Sequence, residues 1–321
     1  MKGRPGEFEE RYWSTVTSPV PGPDGDAVLF VARSEDVTEF VMHRRRDRSR
    51  RGGGPGGADG FQAAELFSRA SELYELNEEL RTAYAQEREI ALSLQQAMLP
   101  AADGGPRTDV AVRYLPAVGT LNVCGDWYDL VELSDTRLAV AVGDVVGHGL
   151  AAAGVMGQLR SALSCGIQVV GDPAQALQAL GRYARSVDGA LASTAVQVVI
   201  DRARQMITYS CAGHLPPVLF QPDGTAHFLD QATDPPLGVR TDDVPRPRAD
   251  LPYAPGATLV LYTDGLVERR GEDIDDGLRR LTGCLRQHAR LDPERLAEAL
   301  LTDLGVADGA ADDTALVIIR L

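Results

Sequence analysis

The stretch LAVAVGDVVGHGLAAAGVMGQL, Leu138–Leu159, decides the fold. It begins as an alternating apolar run of strand period, breaks at a glycine-rich acidic turn, and continues as a small-residue pattern of helical period. A strand therefore ends on Asp144, three residues before Gly147-His148-Gly149, and a helix follows from Ala151. A lone carboxylate at a strand end faces an edge of the molecule and not the apolar layer behind it, which makes this junction the first candidate for chemistry.

Outward from this junction, short apolar runs recur with turns between them: DVAVRYLPA, DLVELSD, TAVQVVIDRARQMITYSCAG, PPVLFQPDGTAHFLD, ATLVLYTDGLVE and TALVIIRL. They read as mostly antiparallel strands. Helical patterns cover Ala151–Cys165, Pro173–Asp188, Asp275–Arg290 and Pro293–Leu304. The hairpin from Ile200 to Ile207 through DRARQ excludes a purely doubly wound plan, so strands and helices are expected in separate layers of an α+β fold.

The chain has 321 residues, room for one large core and a second small unit. A formal net charge of -14 argues against nucleic acid as a partner. The one basic concentration, HRRRDRSRRGGG at 43–54, lacks apolar residues and reads as a solvated linker over 43–62. No secretory leader pattern and no apolar run near the ~18 residues of a membrane span are present, so a cytoplasmic protein without membrane insertion is expected. The 4 cysteines, Cys124, Cys165, Cys211 and Cys284, form no close pair, which fits a reducing compartment and suggests neither a disulfide framework nor a zinc site.

Ahead of the linker, residues 1–42 contain two strand patterns, Tyr12–Pro19 and Ala27–Ala32, joined by a Pro/Gly/Asp turn. From 63 to 99 the period becomes helical: Leu66, Leu73, Leu80 and Leu94 recur at sevens, with Glu87 interrupting, and Leu76, Ala83, Ile90 and Ala97 form a companion seam. This predicts a helix of roughly 50 Å that forms a parallel dimeric coiled coil or lies on its own domain.

Four acidic segments stand at the edges of apolar runs: NVCGDWYDL with Asp126 and Asp129, AVGDVVGHG with Asp144, LVLYTDGLVE with Asp264, and GAADDTALVI with Asp312 and Asp313. Each alone also reads as a turn. Several carboxylates converging in a low-dielectric cleft require protons or a cation. An oxygen-rich set without a cysteine or histidine cluster favours Mg2+ or Mn2+. Two such ions about 3.5–4 Å apart can activate a water and draw charge off a phosphoryl oxygen, with no serine or cysteine nucleophile. Cys124 and Cys211 lack a basic partner at short spacing and read as structural. His148 reads either as a proton donor to a leaving oxygen or as a turn histidine, and His214 as a structural loop residue.

Taken together and in order, LQQAMLP, VCGDWYDL, VAVGDVVGHGLAAA, YSCAGHLPPVL, LVLYTDGLVE and DDTALVIIRL resemble the bacterial PP2C-type (PPM) metal-dependent serine/threonine phosphatases of the SpoIIE/RsbU-like branch. The likeness runs from about Leu92 to Leu321. It implies a phosphatase domain over 100–321, built as a sandwich of two antiparallel β-sheets flanked by helices, with two Mn2+ or Mg2+ ions at one edge. By the same resemblance Asp126 is the first metal-binding aspartate, Asp144 bridges the two ions, the Val145 backbone carbonyl is a further ligand, and Asp264 and Asp312 complete one site. Asp129 and Asp313 match commonly acidic positions outside the direct ligand set. His148 stands near the histidine that some relatives use as a general acid. The arginine with which other members clamp phosphate has no evident counterpart.

The amino-terminal block resembles the last strands of a PAS sensory domain, a remnant too short to enclose a ligand cavity, and the heptad helix resembles the signalling helix that joins sensor to phosphatase. The implied function is hydrolysis of phosphoserine or phosphothreonine on a phosphorylated anti-anti-sigma-like protein by attack of metal-bound water, in a homodimer formed through helix 63–99. The alternatives are a catalytically weak scaffold of the same fold and a small-molecule phosphomonoesterase. No kinase-like ATP-binding region follows residue 250.

Overall fold

The computed structural model describes residues 10–21, 27–39, 41–42, 69, 72–86, 108–115, 125–147, 149–240, 244–269, 271–307 and 313–321. The chain divides into two compact units, Met1–Ala85 and Gln86–Leu321. Among the described residues no helix is long and apolar enough to cross a membrane.

In the first unit, β1 (Trp13–Pro21) and β2 (Ala27–Asp36) pair antiparallel from Trp13↔Asp36 to Pro21↔Ala27. β2 runs further than the sequence pattern predicts because the ladder continues into the polar Ser34–Asp36 end, where Thr15 and Ser34 hydroxyls meet at 2.8 Å, and β1 runs two residues further at the turn end, where Val20 pairs with Leu29 and Pro21 with Ala27. The Val37 N–H donates to the Tyr12 carbonyl at 2.9 Å and closes the hairpin mouth. A helix covers 72–86, and Leu73, Leu76 and Leu80 stand exposed along it, at 68%, 59% and 51%. The linker at 43–62 and both ends of the 63–99 helix lie outside the described residues.

The second unit is a four-layer sandwich. One sheet contains β4 (Trp127–Ser134), β5 (Arg137–Asp144), β6 (Thr194–Asp201) and β7 (Met206–Ala212) in sequence order; β10 (Thr233–Asp234) and β11 (Ala249–Pro252) both pair with β7. The other runs β3 (Val110–Leu115), β13 (Thr314–Arg320), β12 (Thr258–Tyr262), β8 (Val218–Phe220), β9 (Ala226–Phe228). The named pairings are antiparallel except the two-residue match of β10 with β7, which is parallel.

Strand alternation assigns each side chain to a layer. On β5, Leu138, Val140 and Val142 enter the core between the sheets, while Ala139 and Ala141 face helices α1 (Leu150–Val170) and α2 (Pro173–Ala184). On β13, Ala315, Val317 and Ile319 face inward, and Leu316 and Ile318 pack against α3 (Ile274–His288) and α4 (Pro293–Asp303). The opening stretch is apolar on both faces because β5 is a central strand covered on both sides.

Helix α1 runs five residues beyond its predicted end at Cys165. Its apolar stripe continues through the buried Ile167, and the helix stops only where Gly171 adopts φ 63° and returns its N–H to the Ile167 carbonyl. Helix α2 instead stops at Ala184, where Ser186 and Val187 N–H groups turn back to Tyr183 and Ala184. Asp172 caps α2 by accepting from the Gln175 N–H at 3.0 Å, with Pro173 in the first turn.

Candidate active site at the acidic edge

Register places the acids. Trp127 pairs with Gly143, so the preceding Asp126 and following Asp144 meet at one end of the β4–β5 ladder, and Asp144 pairs in turn with Thr194 at the start of β6. In the facing sheet β12 ends at Tyr262 and β13 begins at Thr314; the Thr263 N–H donates to the Ala315 carbonyl at 3.0 Å, and the Thr263 hydroxyl accepts from the Ala315 N–H at 2.8 Å. Asp264 and Asp313 flank that join. Trp127, fully buried against Gly143, locks the β4 end.

Two glycines permit the backbones to meet. A Cβ on Gly125 would lie 2.5 Å from the Val145 carbonyl oxygen and 3.2 Å from Asp144 Oδ1, and the Val145 N–H donates to the Gly125 carbonyl at 3.2 Å. A Cβ on Gly265 would lie 2.1 Å from the Asp313 carbonyl oxygen. Neither approach is open to a residue with a side chain.

Asp126 is the buried centre of the group, 3% exposed. Burial first, then the carboxylates of Asp144, Asp264 and Asp313, push its carboxyl well above the ordinary range, while a hydrogen bond from Thr263 pulls the other way. Its Oδ2 has no hydrogen-bond partner among the described residues. The Tyr114 hydroxyl, from β3 in the opposite sheet, donates to the Asp126 carbonyl at 2.9 Å and fixes the main chain there.

Asp129 belongs elsewhere. It is buried beside α1, 3.3 Å from Arg160 Nη1, and burial raises its carboxyl while Ser164 and Arg160 draw it down. Asp313, which the resemblance places outside the direct ligand set, flanks the Thr263–Ala315 join and adds the smallest of the charges that raise Asp126. His148 and Asp312 lie outside the described residues, as does Cys124. Cys211 is buried, its thiol donates to the His214 carbonyl at 3.0 Å, and burial pushes its pKa up to about 11. Two contributors were not predicted: Thr263, inside the YTDG segment, and Tyr114, in the distant strand Val110–Leu115, whose position in the sequence carries no signal for the site.

Among the described residues no three carboxylate, imidazole or thiol groups close into a ready-made metal cage. The donor set nonetheless fits a hard cation. It offers an orphaned, buried Asp126 oxygen, the Asp144 carboxylate and Val145 carbonyl gathered against Gly125, and Asp264 charge-coupled to the same centre.

An α–β–β–α sandwich with an acidic rim at one end of both sheets defines an α+β fold of the PP2C type, and solved structures bear this out. The chain superposes on the RsbU and RsbW domains of Rv1364c from Mycobacterium tuberculosis with TM-score 0.60 and 33% identity, covering 66% of this chain and 59% of that one. It superposes on the SiaA PP2C domain of Pseudomonas aeruginosa with TM-score 0.62 and 26% identity, covering 76% and 98%. Residues 134–321 match the family described as Stage II sporulation protein E (SpoIIE), and the chain belongs to that family. Among curated proteins it is 32% identical over 186 residues to the phosphoserine phosphatase RsbP of Bacillus subtilis, covering 56% of this chain and 44% of that protein. The chain spans about half the length of the curated relatives it matches.

Proposed function

We propose that this protein is a metal-dependent protein serine/threonine phosphatase acting on a phosphorylated anti-anti-sigma-like partner. The observation that carries the reading is the convergence of Asp126, Asp144 and Asp264 on one edge, with a buried, unpartnered oxygen on Asp126. The relatives support it through their names, phosphoserine phosphatases RsbP and RsbU.

In this reading Asp126, Asp144, the Val145 carbonyl, Asp264 and Asp312 hold two Mn2+ or Mg2+ ions. Such a pair supplies an activated water and withdraws charge from the phosphoryl group when bound. The rest falls to the protein. Asp144 ends the strand between β4 and β6; Thr263 hydrogen-bonds the Asp126 carboxyl and Tyr114 anchors its main chain; and His148, two residues before Leu150 in the sequence, protonates the departing serine or threonine oxygen. The hairpin of β1 and β2 is the PAS-like end of a sensory unit, and helix 63–99 joins two copies of the chain, exposing the Leu73–Leu80 stripe to its twin.

The test is phosphate release from a phosphorylated anti-anti-sigma protein, with Mn2+, by wild type and by Asp144→Asn. The variant should lose at least about a hundredfold in rate. Equal rates would overturn the ligand assignment, and release from small esters alone would overturn the protein substrate.

A further inference from the structure

The acidic edge is assembled from two separate sheets. Asp126 and Asp144 stand at the β4 and β5 ends of one sheet, and Asp264 follows β12 of the other. With no cation between them such carboxylates repel one another, so the gap has to be held by something else. Two hydrogen bonds cross it at consecutive residues just before Asp264. Thr263 bonds the Asp126 carboxyl, and the buried ring of His214 reaches the Tyr262 carbonyl.

Strand register explains why a side chain is needed at Tyr262. β12 and β8 pair Val260 with Val218, so the rung opposite Tyr262 falls on Pro216. Thr263 turns its N–H toward β13, donating to the Ala315 carbonyl at 3.0 Å, so the Tyr262 carbonyl points the other way, to the β8 side. Pro216 and Pro217 have no N–H to offer it. His214 Nε2 takes that place at 3.1 Å, and it carries the ring proton because a carbonyl only accepts. Nδ1 is therefore the acceptor for the Thr194 hydroxyl, 2.8 Å away in the first sheet, and Thr194 pairs with Asp144.

The ring is itself held. Gly213, at φ 69°, donates to the Asp234 carbonyl at 2.8 Å and packs on Pro236, where a Cβ would come within 2.5 Å of the proline ring. Cys211 Sγ donates to the His214 carbonyl at 3.0 Å, and the Tyr262 hydroxyl donates to the Pro216 carbonyl at 2.9 Å. Burial keeps the imidazole uncharged, so the tie adds no charge to the edge it spans.

We propose that His214 is a positioning residue of the metal edge: through Thr194 and Tyr262 it holds the ends of β5, β6 and β12 at the spacing that the metal ligands Asp144 and Asp264 require. It touches no reacting atom. The role rests on the metal-dependent phosphatase reading and deepens it, because the cost of gathering like charges then falls on folding and not on cation binding.

The test is Mn2+ calorimetry on the full chain, with urea unfolding in chelator run on every variant. Thr194→Val replaces the hydroxyl by a methyl of similar size and should weaken Mn2+ binding about tenfold; Thr194→Ser, which keeps the hydroxyl, should stay within about twofold of wild type. His214→Gln should weaken it at least about tenfold, and adding Thr194→Val to it should cause no further loss. Imidazole 15N spectra of the metal-free wild type at neutral pH should show Nε2 protonated and Nδ1 bare. Lower stability with unchanged Mn2+ affinity assigns the ring to the fold alone and overturns the proposal. Additive losses in the double variant overturn it as well, since Thr194 then acts on the site without the ring, and the reverse tautomer removes the hydrogen bonds on which it stands. If His214→Gln does not fold, the Thr194 variants and the spectra decide: the Val and Ser contrast with the expected tautomer supports the role, and equal affinities sink it. Wild type that binds no Mn2+ overturns the metal-dependent reading and this role with it, whereas wild-type binding that all variants retain overturns the role of His214 alone.

Discussion

His214 Nε2 lies 3.1 Å from the Tyr262 carbonyl oxygen, across the gap between the two sheets. A carbonyl only accepts, so Nε2 carries the proton, and Nδ1, 2.8 Å from the Thr194 hydroxyl, accepts. The ring thereby ties the cross-strand partner of Asp144 to the residue two positions before Asp264. Burial holds it neutral, pushing its pKa down to about 4. A histidine depressed in the folded state stabilises fully above its unfolded value of about 6.5, and that contribution is lost as pH falls toward 4, because the unfolded chain takes the proton first; about 3 kcal/mol is at stake. His214→Gln should cost about 1–3 kcal/mol at neutral pH and flatten the loss of stability between these limits, read by urea unfolding across pH. An unchanged acid limb would remove His214 as its source.

The crowded charge at Asp126 makes an opposite prediction. A carboxyl raised on folding contributes stability below its unfolded pKa, and that contribution disappears as pH rises through the folded value. At neutral pH and with chelator present, Asp126→Asn should melt higher than wild type by roughly 2–6 °C. Adding Mn2+ should reverse the order, since only wild type gains from the cation. Melting curves in both conditions check it.

Gly125→Ala forces a Cβ to within 2.5 Å of the Val145 carbonyl oxygen, so the 125 and 145 backbones must separate. The expected cost is about 1–3 kcal/mol of stability and at least about tenfold in Mn2+ affinity measured by calorimetry. Unaltered affinity would detach the Val145 carbonyl from the site.

Arg160 and Asp129 form a pair under α1, with side chains 18% and 8% exposed. Arg160→Met strands a buried carboxylate and should destabilise by about 3–5 kcal/mol, whereas Mn2+ affinity stays within about twofold. A large fall in affinity would bring Asp129 into the metal site, against its placement beside Arg160.

Leu73→Glu with Leu80→Glu places charge on the exposed stripe of the 72–86 helix. Sedimentation at micromolar concentration should show a dimer for wild type and a monomer for the variant. A monomeric wild type ends the coiled-coil proposal.

The layers and most elements of the second unit were legible in the sequence because hydrophobic period is a local signal. β5 and β13 alternate between two cores, and α3 and α4 fall within a residue or two of their predicted ends. The end of α1 was misjudged because Ile167 adds another turn of buried stripe before Gly171 stops it. The edge acids Asp126, Asp144 and Asp264 were legible as strand-end aspartates; the separate environment of Asp129 was not, since Arg160 comes from a helix that only packing sets beside it.

By itself, the sequence determined which residues are strand-end carboxylates, where glycine relieves the backbone, and that α and β segments occupy different layers. Local sterics and residue period encode those features. Tertiary structure alone decided that Asp313 joins the charge around Asp126, that His214 spans two sheets, and that Arg160 reaches Asp129 from α1. These relationships depend on strand register and helix docking, which bring distant residues within a few ångströms and have no signature in local spacing.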